Sequence, residues 1–245
     1  MRSVRTTLHI LDAVADSQPI GLSELARRLE LPKSTVQRSL ATLADLGWIR
    51  ADAPESPRWR LGDHVRQLGE KVDELGNLRE VALRVLSRLG EQTGETIHLA
   101  VPDGANMRLV ERLDSKHPLR LVRPIGNKSP MHACSTGKSV LAALPPAELE
   151  LYVAAGLSAV TPNTIVDADE FRDELQLIHD RGYAIANQEL ADGTSSVGAS
   201  IQVEGRPVAA LSVSGASFRF TTDVCRDYGQ LVAAAAKEIS SGLVQ

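Results

Sequence analysis

The sequence predicts an α+β protein in two parts: a small helical N-terminal part and a larger part built on a mostly antiparallel sheet flanked by helices. Three observations support this. Helical periodicity dominates residues 4–46, and strand-like segments joined by tight turns recur after residue 95. Helical segments stand at the beginning, middle and end of the second region. Tight turns between strands make antiparallel pairs, so the sheet is expected to be mostly antiparallel.

The N-terminal part is predicted to contain three helices. Val4–Ala15 is amphipathic, and two short helices joined by a tight turn follow, over Ser23–Leu29 and Lys33–Leu46. Ser23 is expected to be an N-cap. Pro32 separates the two short helices, because the residue before a proline is pushed out of the α region. The inward residues of the first helix are expected to be Val4, Leu8, Leu11 and Ala15.

The helix over Lys33–Leu46 has an outer face suited to a DNA groove. Its inward stripe is Val36, Leu40 and Leu43. The opposite face carries hydroxyls, an amide and a guanidinium and no acid before Asp45, whereas a solvated face normally mixes Glu with Lys. Arginine forks onto guanine and glutamine onto adenine. An ordinary helical hairpin is the alternative. The outer residues are Ser34, Thr35, Gln37, Arg38, Ala41 and Thr42.

Two short strands, Trp48–Arg50 and Trp59–Leu61, are predicted on either side of the loop Ala51–Arg58. We interpret them as a wing whose arginines meet backbone phosphates, with a plain surface hairpin as the alternative. Together these elements predict a winged helix-turn-helix domain over residues 1–62. The predicted DNA-contacting residues are Lys33, Ser34, Thr35, Gln37, Arg38, Arg50, Arg58 and Arg60.

The distribution of charge agrees with a DNA-binding N-terminal part, although the net charge of the chain is −4. Residues 1–62 carry nine Lys/Arg and seven Asp/Glu, whereas residues 63–245 carry eighteen and twenty-four. The cationic part is therefore local, attached to an acidic partner domain. A surplus of two positive charges is small, so we expect two copies to be needed for enough phosphate contacts.

Composition argues against several other classes of protein. No apolar run approaches 18 residues and no signal-peptide core is seen, which predicts a cytoplasmic protein with no membrane partner. Cys134 and Cys225 lie far apart and frame neither a metal site nor a disulfide scaffold. His98, His132 and His179 lack metal-ligand spacing and are interpreted as structural. We expect no metal and no cofactor.

A connecting helix is predicted over His64–Leu75 and ends at Gly76-Asn77, giving a linker over 63–77 and a second domain over 78–245. The stripe of this helix, expected to pack against a second copy or a neighbouring domain, is Val65, Leu68, Val72 and Leu75. The helices predicted in the second domain are Leu78–Leu89, Cys134–Leu144, Ala147–Ala154, Ala168–Asp180 and Thr222–Leu243. The strands predicted there are Thr96–Val101, Met107–Leu113, Leu119–Val122, Tyr183–Ile185, Ser196–Val203 and Pro207–Val213.

The segment Ser135–Ser139 (STGKS) is similar to the end of a phosphate-binding loop. The full pattern needs a glycine five residues before Gly137, and His132 stands there, so we do not expect nucleotide hydrolysis. A helix that begins near Cys134 would instead expose free N–H groups and the positive end of its dipole. Such a helix start is a natural seat for a carboxylate.

A run of serines near the end of the chain is the other candidate for ligand binding. Ser212 and Ser214 alternate on one strand and point to one face, with Ser196 and Ser200 on the facing strand. If that face is the core, a bound carboxylate would accept hydrogen bonds from the hydroxyls; a solvent-facing set is the alternative. Arg123 either pairs with an acidic ligand or is a surface arginine. No Ser-His-Asp arrangement or GxSxG motif is seen, and no catalytic residue is predicted.

With both parts in view, the chain resembles the IclR family of bacterial transcriptional regulators over nearly its whole length. The N-terminal part carries the family's pattern in LSELARRLELPKSTVQRSLATLADLGWI. The second part carries it in PIGNKSPMHACSTGKSVLAALP, RGYAIANQELADG and GRPVAALSVSG. A helix-turn-helix pattern alone is moderately specific, but its combination with these three stretches in this order is highly specific.

The resemblance implies a winged helix-turn-helix, a linker helix and a GAF-like effector domain, in dimers or tetramers on palindromic operators of catabolic genes. It also implies an effector pocket at the loop and helix start His132–Gly137 and at serines 196, 212 and 214. The family often has an Asp where Ala186 stands and a Cys where Ser196 stands. Without the Asp the pocket has one acid fewer, which weakens the case for a glyoxylate- or pyruvate-type effector. NQEL followed by Gly193 and Ser196 is similar to the branch that regulates aromatic-acid catabolism, although SSVGASI departs from it. The expected effector-binding residues are Arg123, His132, Cys134, Ser135, Thr136, Gly137, Ser196, Ser212 and Ser214.

The leading hypothesis is a ligand-responsive DNA-binding regulator, not an enzyme, that senses a small carboxylic acid, with an aromatic acid favoured. An enzyme of small carboxylates fused to a DNA-binding module is the alternative, and its best feature is the STGKS segment. A third hypothesis is an architectural DNA binder, which would not need a second domain of this size.

Overall fold

The structure, a computed structural model, describes residues 2–52, 57–69, 77–118 and 122–244. The chain forms two compact units that divide between Leu75 and Gly76. Within the described ranges no helix is both long and apolar enough to cross a membrane.

In the described part of the N-terminal unit, helices and a small antiparallel sheet pack around one apolar core, which includes Ile10, Leu25, Leu40 and Ile49. Its helices are α1 (Arg2–Ser17), α2 (Leu22–Arg28), α3 (Lys33–Asp45) and α4 (Asp63–Gly69). Its strands are β1 (Ile20–Gly21), β2 (Ile49–Ala51) and β3 (Arg58–Leu61), in the order β1-β3-β2. The predicted helix-turn-helix and the wing hairpin are therefore present.

Most of the inward face predicted for helix α1 is wrong, although Leu11 is half-buried against the core. Val4 is 63% exposed and Leu8 is 51% exposed, whereas Ile10 and Val14 are fully buried. The predicted stripe and the stripe with Ile10 both follow the helical repeat. The stripe with Ile10 is the buried one because it packs against α3 and β3. Periodicity fixes the spacing of a stripe and does not choose between two stripes on one helix.

Helices α2 and α3 follow the prediction to within one residue at each end, and α3 begins at Lys33 as predicted. Val36, Leu40 and Leu43 are buried as predicted. Ser23 is not an N-cap, because α2 begins one residue earlier and Gly21 takes the cap position without a side-chain hydrogen bond. Gly21 also belongs to β1, which pairs with β3 and was not predicted.

Several predictions fall partly outside the described residues. Residues 53–56 of the predicted wing loop lie outside the described ranges. The connecting helix is described only over α4, so Val72 and Leu75 of its predicted stripe also lie outside them. Val65 and Leu68 are half-buried. The strand predicted over Leu119–Val122 includes residues 119–121, which also lie outside the described ranges.

Among its described residues, the second unit has a six-stranded antiparallel sheet with helices on both faces, so the predicted α+β class with a mostly antiparallel sheet is confirmed. The strand order is β6-β5-β4-β9-β8-β7. The helices are α5 (Leu78–Thr93), α6 (Ser135–Leu141), α7 (Pro146–Ala154), α8 (Ala168–Arg181) and α9 (Thr222–Leu243). The strands are β4 (Thr96–Asp103), β5 (Asn106–Leu113), β6 (Lys128–Pro130), β7 (Ala184–Asn187), β8 (Thr194–Val203) and β9 (Arg206–Ala216).

Strand alternation gives the sheet two different faces. Ile97 and Leu99 of β4 are fully buried, and Ile97 lies against α5, which packs on α9. His98 and Ala100 point to the opposite face, which α6 covers. Short polar side chains on that face leave space between the sheet and α6.

The region before α6 was predicted incorrectly. No strand was predicted over Lys128–Pro130, but this segment pairs with β5 as a short edge strand, which tolerates the proline. A single turn of 3₁₀ helix, Met131–Ala133, follows, and Cys134 is the N-cap of α6. The helix ends at Leu141 rather than Leu144.

Gly137 lets α6 lie directly against the 3₁₀ turn. A Cβ atom at this position would lie 2.2 Å from the backbone oxygen of Met131. That atom belongs to the backbone, so it cannot move aside as a flexible side chain does. Gly137 is therefore required for the path of the chain into α6.

We predict that Gly137→Ala destabilises the protein by about 3 kcal/mol, because the added methyl group forces the backbone apart. The matched control is Gly90→Ala in α5, where the new Cβ would lie 3.4 Å from Ile97 Cγ1, an ordinary contact. That change should be neutral or stabilise by roughly 0.5–1 kcal/mol, because alanine favours a helix. Urea unfolding followed by far-UV circular dichroism measures both. Equal midpoints for the two variants would contradict the prediction.

Candidate DNA-binding face and ligand cavity

The outer face of α3 is exposed and free of acids. Ser34, Gln37, Arg38 and Thr42 are exposed, and Thr35 is half-buried. No acid lies in the first turn of the helix, and Asp45 is its last residue. The face is therefore open to an anionic partner, with Arg38 at its centre. The structure places Lys33, Ser34, Thr35, Gln37 and Arg38 within the first two turns of one helix.

The wing arginines have partners in their own unit. Arg58 donates to the backbone oxygen of Pro19 at 2.6 Å, and its guanidinium lies 3.6 Å from Glu24. Arg60 Nε lies 2.9 Å from Asp52 Oδ2. Exposed ion pairs of this kind contribute about 0–1 kcal/mol, so a phosphate can replace the carboxylate. Arg50 is exposed on β2.

The second unit contains a cavity of about 60 Å³ between the sheet and α6. Strands β4, β5, β8 and β9 form its floor, and the segment that leads into α6 forms its roof. Gly198 lets the roof come close, since a Cβ there would lie 3.0 Å from Ser135 Oγ. Its polar and charged lining residues are His98, Arg123, Asn127, Ser129, Cys134, Ser135, Thr136, Thr194, Ser195, Ser196, Ser212 and Ser214, and its apolar ones are Ala100, Met107, Leu109, Ala186 and Leu190.

Hydroxyl groups dominate the polar part of this lining. Ser135 donates to Ser196 at 2.8 Å, and the hydroxyls of Ser212 and Ser214 lie 3.4 Å apart. Ser212 and Ser214 are 3% and 4% exposed, so the alternative in which they face solvent is wrong. Backbone register places Ser196 directly beside Ser214, which is why three serines from two strands meet.

Two polar atoms in the cavity wall have no hydrogen-bond partner among the residues that the structure describes. They are His98 Nε2 and Arg123 Nε. The other nitrogen of His98, Nδ1, lies 3.2 Å from Ser214 Oγ, and Arg123 donates to Ser129 Oγ at 2.8 Å. Buried polar atoms are almost always paired, so these two atoms are candidates for contact with a ligand.

The cavity wall also keeps His98 neutral. Burial and, to a smaller extent, the positive charges of Arg123 and Arg112 lower the pKa of His98 to about 4, against a smaller opposing effect of Asp114. Arg123 thus contributes a positive charge from a half-buried position, and no carboxylate within the described ranges pairs with it. A negatively charged ligand would supply a partner for both His98 and Arg123.

Seven of the nine residues predicted for the effector pocket line this cavity. Two do not. His132 lies 2.8 Å from Tyr152 Oη and 2.9 Å from the backbone oxygen of Ser158, and Gly137 packs on the backbone of Met131. His98 was missed as a cavity residue; its only signal in the sequence is a histidine among the alternating residues of TIHLAV. Ala186 lies in the wall, so the position where the family often has an acid faces the cavity.

The STGKS segment does not form a phosphate site. Lys138 is 1% exposed, and its Nζ lies 2.9 and 3.0 Å from the two carboxylate oxygens of Glu189. Among the residues described, no group of three His, Cys, Asp or Glu is arranged to hold a metal. The lysine that a nucleotide would need is therefore occupied inside the protein.

Both parts of the chain match the sequence profiles of one family. Residues 71–241 match the C-terminal domain of the bacterial transcriptional regulator IclR, and residues 3–53 match the IclR helix-turn-helix domain. The chain belongs to the IclR family. Over 245 residues it is 34% identical to the transcriptional repressor IclR of Escherichia coli K12, covering 98% of this chain and 89% of that protein.

Solved structures of IclR proteins share the fold. The Thermotoga maritima IclR structure superposes with a TM-score of 0.86 at 29% identity, over 100% of both chains. An IclR homolog from Microbacterium hydrocarbonoxydans, complexed with 4-hydroxybenzoate, has a TM-score of 0.83 at 24% identity over 99% of both chains.

As an IclR family member, the protein is a DNA-binding transcriptional regulator with a C-terminal effector-binding domain. The alternative of an enzyme fused to a DNA-binding module is wrong, since the IclR relatives of this chain are transcriptional repressors. The hypothesis of a purely architectural DNA binder is also set aside, because the larger unit matches the IclR C-terminal domain.

We predict that His98 makes this IclR protein less stable as the pH falls from 6.5 toward 4. The unfolded chain binds a proton at the ordinary pKa of histidine, while the folded protein resists it down to about pH 4. The loss should be about 1.4 kcal/mol per pH unit within that window and absent above it.

Urea unfolding of His98→Asn at pH 6.5, 5.5 and 4.5 tests this, since asparagine keeps a partner for Ser214 but does not titrate. Its stability should fall less steeply than that of the wild type. His179→Asn, at an exposed position of α8, is the control. Parallel pH profiles for the wild type and His98→Asn would refute the assignment.

Proposed function

We propose that this IclR protein binds a palindromic operator of catabolic genes as a dimer or tetramer, and that a small carboxylic acid in the cavity controls binding. The observation that carries the first half is the acid-free outer face of α3 with Arg38 at its centre. Its predicted contacts are to base edges from Gln37 and Arg38 and to phosphates from Lys33, Ser34, Thr35 and the wing arginines.

Charge supports the requirement for more than one copy. The surplus of two positive charges over residues 1–62 provides few phosphate contacts, and those contacts dominate affinity. Two copies on a palindrome double that number and place two α3 helices one helical turn of DNA apart. Operator affinity then depends on how the two copies are spaced, which is the role proposed for the linker over 63–77.

We predict that Arg38→Ala weakens binding to the native upstream region by about 1–3 kcal/mol, because a forked contact to a base is lost. Arg38→Lys should recover little of this, since a lysine keeps the charge but not the fork. Fluorescence anisotropy with labelled DNA measures both variants.

Lys33→Ala is the matched control for a phosphate contact. It should weaken binding to the upstream region and to scrambled DNA about equally, and lower the salt dependence by about one charge. Arg38→Ala should affect the upstream region alone. If Arg38→Ala binds the upstream region as the wild type does, the base-reading role is lost.

The observation that carries the second half of the proposal is the pair of buried atoms in the cavity wall, His98 Nε2 and Arg123 Nε, that have no hydrogen-bond partner among the described residues. A carboxylate accepts hydrogen bonds from both and neutralises the guanidinium. The hydroxyls of Ser135, Ser196 and Ser214 then bind the remaining polar atoms of the ligand.

The volume of the cavity distinguishes short carboxylic acids from aromatic ones as ligands. A cavity of about 60 Å³ is well below the roughly 150 Å³ of an engineered cavity that takes up benzene. A short acid therefore fits the cavity as it stands, whereas the aromatic acid favoured by NQEL requires a displaced wall. Leu190, which lies in the cavity wall, belongs to that same stretch.

We predict that carboxylic acids raise the melting temperature of the wild type and that Arg123→Gln weakens their binding about 10- to 100-fold, because a charge-assisted contact is removed. The probes are pyruvate, succinate, benzoate and 4-hydroxybenzoate, the acid bound by the Microbacterium hydrocarbonoxydans homolog. Thermal shift and isothermal titration calorimetry measure the effect.

Arg206→Gln is the matched control, because Arg206 lies in the exposed β8–β9 hairpin and pairs with Glu148. Benzamide, which lacks the charge, controls for benzoate. The proposal fails if no acid binds, if benzamide binds as well as benzoate, or if the two arginine variants behave alike.

A further inference from the structure

The segment between β7 and β8 forms one wall of the cavity. We name residues 188–193 the Gln188 loop. Leu190 of this loop lines the cavity and also packs against the apolar core, and Thr194 and Ser195, which follow directly, line the cavity too. The position of the Gln188 loop therefore determines the volume and the access of the site.

The Gln188 loop is closed on itself at its base. The Gln188 N–H donates to the Thr194 oxygen at 2.9 Å, and the Gly193 N–H donates to Gln188 Oε1 at 2.9 Å. Gln188 has a φ of +58°, which a residue with a side chain seldom adopts. Such a conformation persists where surrounding contacts hold it.

The strongest of the surrounding contacts is an ion pair. Both carboxylate oxygens of Glu189 lie within 3.0 Å of Lys138 Nζ, and Glu189 Oε1 also accepts from the Asn187 N–H at 3.2 Å. Lys138 is 1% exposed and is also 3.3 Å from Glu174, which in turn pairs with Arg181. The loop is thus tied to α6, the helix whose first residues form the opposite wall.

Two threonines hold the loop by neutral contacts. Thr161 Oγ1 donates to the Gln188 oxygen at 2.7 Å, and Thr164 Oγ1 donates to the Glu189 oxygen at 2.7 Å. The only charged attachment of the loop within the described ranges is therefore the one to Lys138.

The ion pair between Lys138 and Glu189 holds the loop only while both charges are present. Burial raises the pKa of Glu189, and the nearby Lys138 opposes that rise. Without Lys138, the ionised carboxylate would remain buried and unpaired, which is strongly unfavourable. It would reach water by moving the Gln188 loop away from α6.

We infer that Lys138 and Glu189 are a positioning pair that holds the Gln188 loop closed over the ligand cavity. The inference rests on the proposed function only in assigning the cavity to an effector. Neither side chain lines the cavity, so both act on a ligand through the loop. Breaking the pair opens the cavity, admits larger acids and weakens the retention of small ones.

The two cysteines provide a test that needs no ligand. Cys134 lines the cavity, and Cys225 is buried in α9 of the same unit, outside the cavity. Alkylation by iodoacetamide, resolved for each cysteine by peptide mass spectrometry, therefore separates opening of the cavity from unfolding of the unit. The full chain is used throughout.

We predict that Lys138→Met raises the alkylation rate of Cys134 about tenfold while that of Cys225 stays unchanged, because the unpaired Glu189 carboxylate displaces the loop. The double variant Lys138→Met/Glu189→Gln removes both charges, should fold even if the single variant does not, and should show a smaller rise at Cys134. Arg172→Met in α8, which breaks an exposed pair with Glu150 of α7, is the matched control and should change neither rate.

An unchanged Cys134 rate in both variants would overturn the inference, as would equal rises at Cys134 and Cys225. The ligand arm is separate. Whichever of pyruvate, succinate, benzoate or 4-hydroxybenzoate stabilises the wild type should show a changed affinity in the double variant, while operator binding without acid stays as in the wild type. If no acid stabilises the wild type, the proposed effector fails, and the cysteine rates still decide whether the pair closes the loop.

Discussion

The close approach of α6 to the sheet is the constraint on which the second unit depends. Gly137 has no side chain to block the contact of α6 with the preceding 3₁₀ turn, and Gly198 has none to block the contact of α6 with β8. With these contacts made, Ser135 reaches Ser196 on one side of the helix. Lys138, on the same short helix, reaches Glu189. Cavity and ion pair therefore follow from one packing arrangement.

The sequence predicted those parts of the fold in which a repeat and its environment agree. Helix α9 was predicted with both ends correct, and α8 ends at Gly182, whose φ of +81° suits glycine. Helix α1 failed in its inward face because two stripes satisfy the same repeat, and only packing against α3 and β3 chooses between them. The strand β6 was missed because three residues with a proline become a strand only through pairing with β5.

The same distinction applies to the site. Ser212 and Ser214 could be placed on one face because strand alternation is local. The meeting of His98 with Ser214 depends on the register between β4 and β9, which no short motif encodes. Arg123 lies in an irregular segment, so its approach to Ser129 is a property of the folded chain alone. Lys138 was noticed for a phosphate motif, and only burial beside Glu189 reveals its actual partner.

Two cations on the α6 side of the sheet, the buried Lys138 and the half-buried Arg123, differ in how their charges are balanced. Lys138 has its charge balanced by Glu189 and Glu174, so another anion would have to displace a carboxylate that is already in place. Arg123 has only the hydroxyl of Ser129 among the described residues, and His98 beside it stays neutral and adds no negative charge. The chain thus compensates the first cation itself. For the second cation, we propose that an acid bound in the cavity supplies the counter-charge.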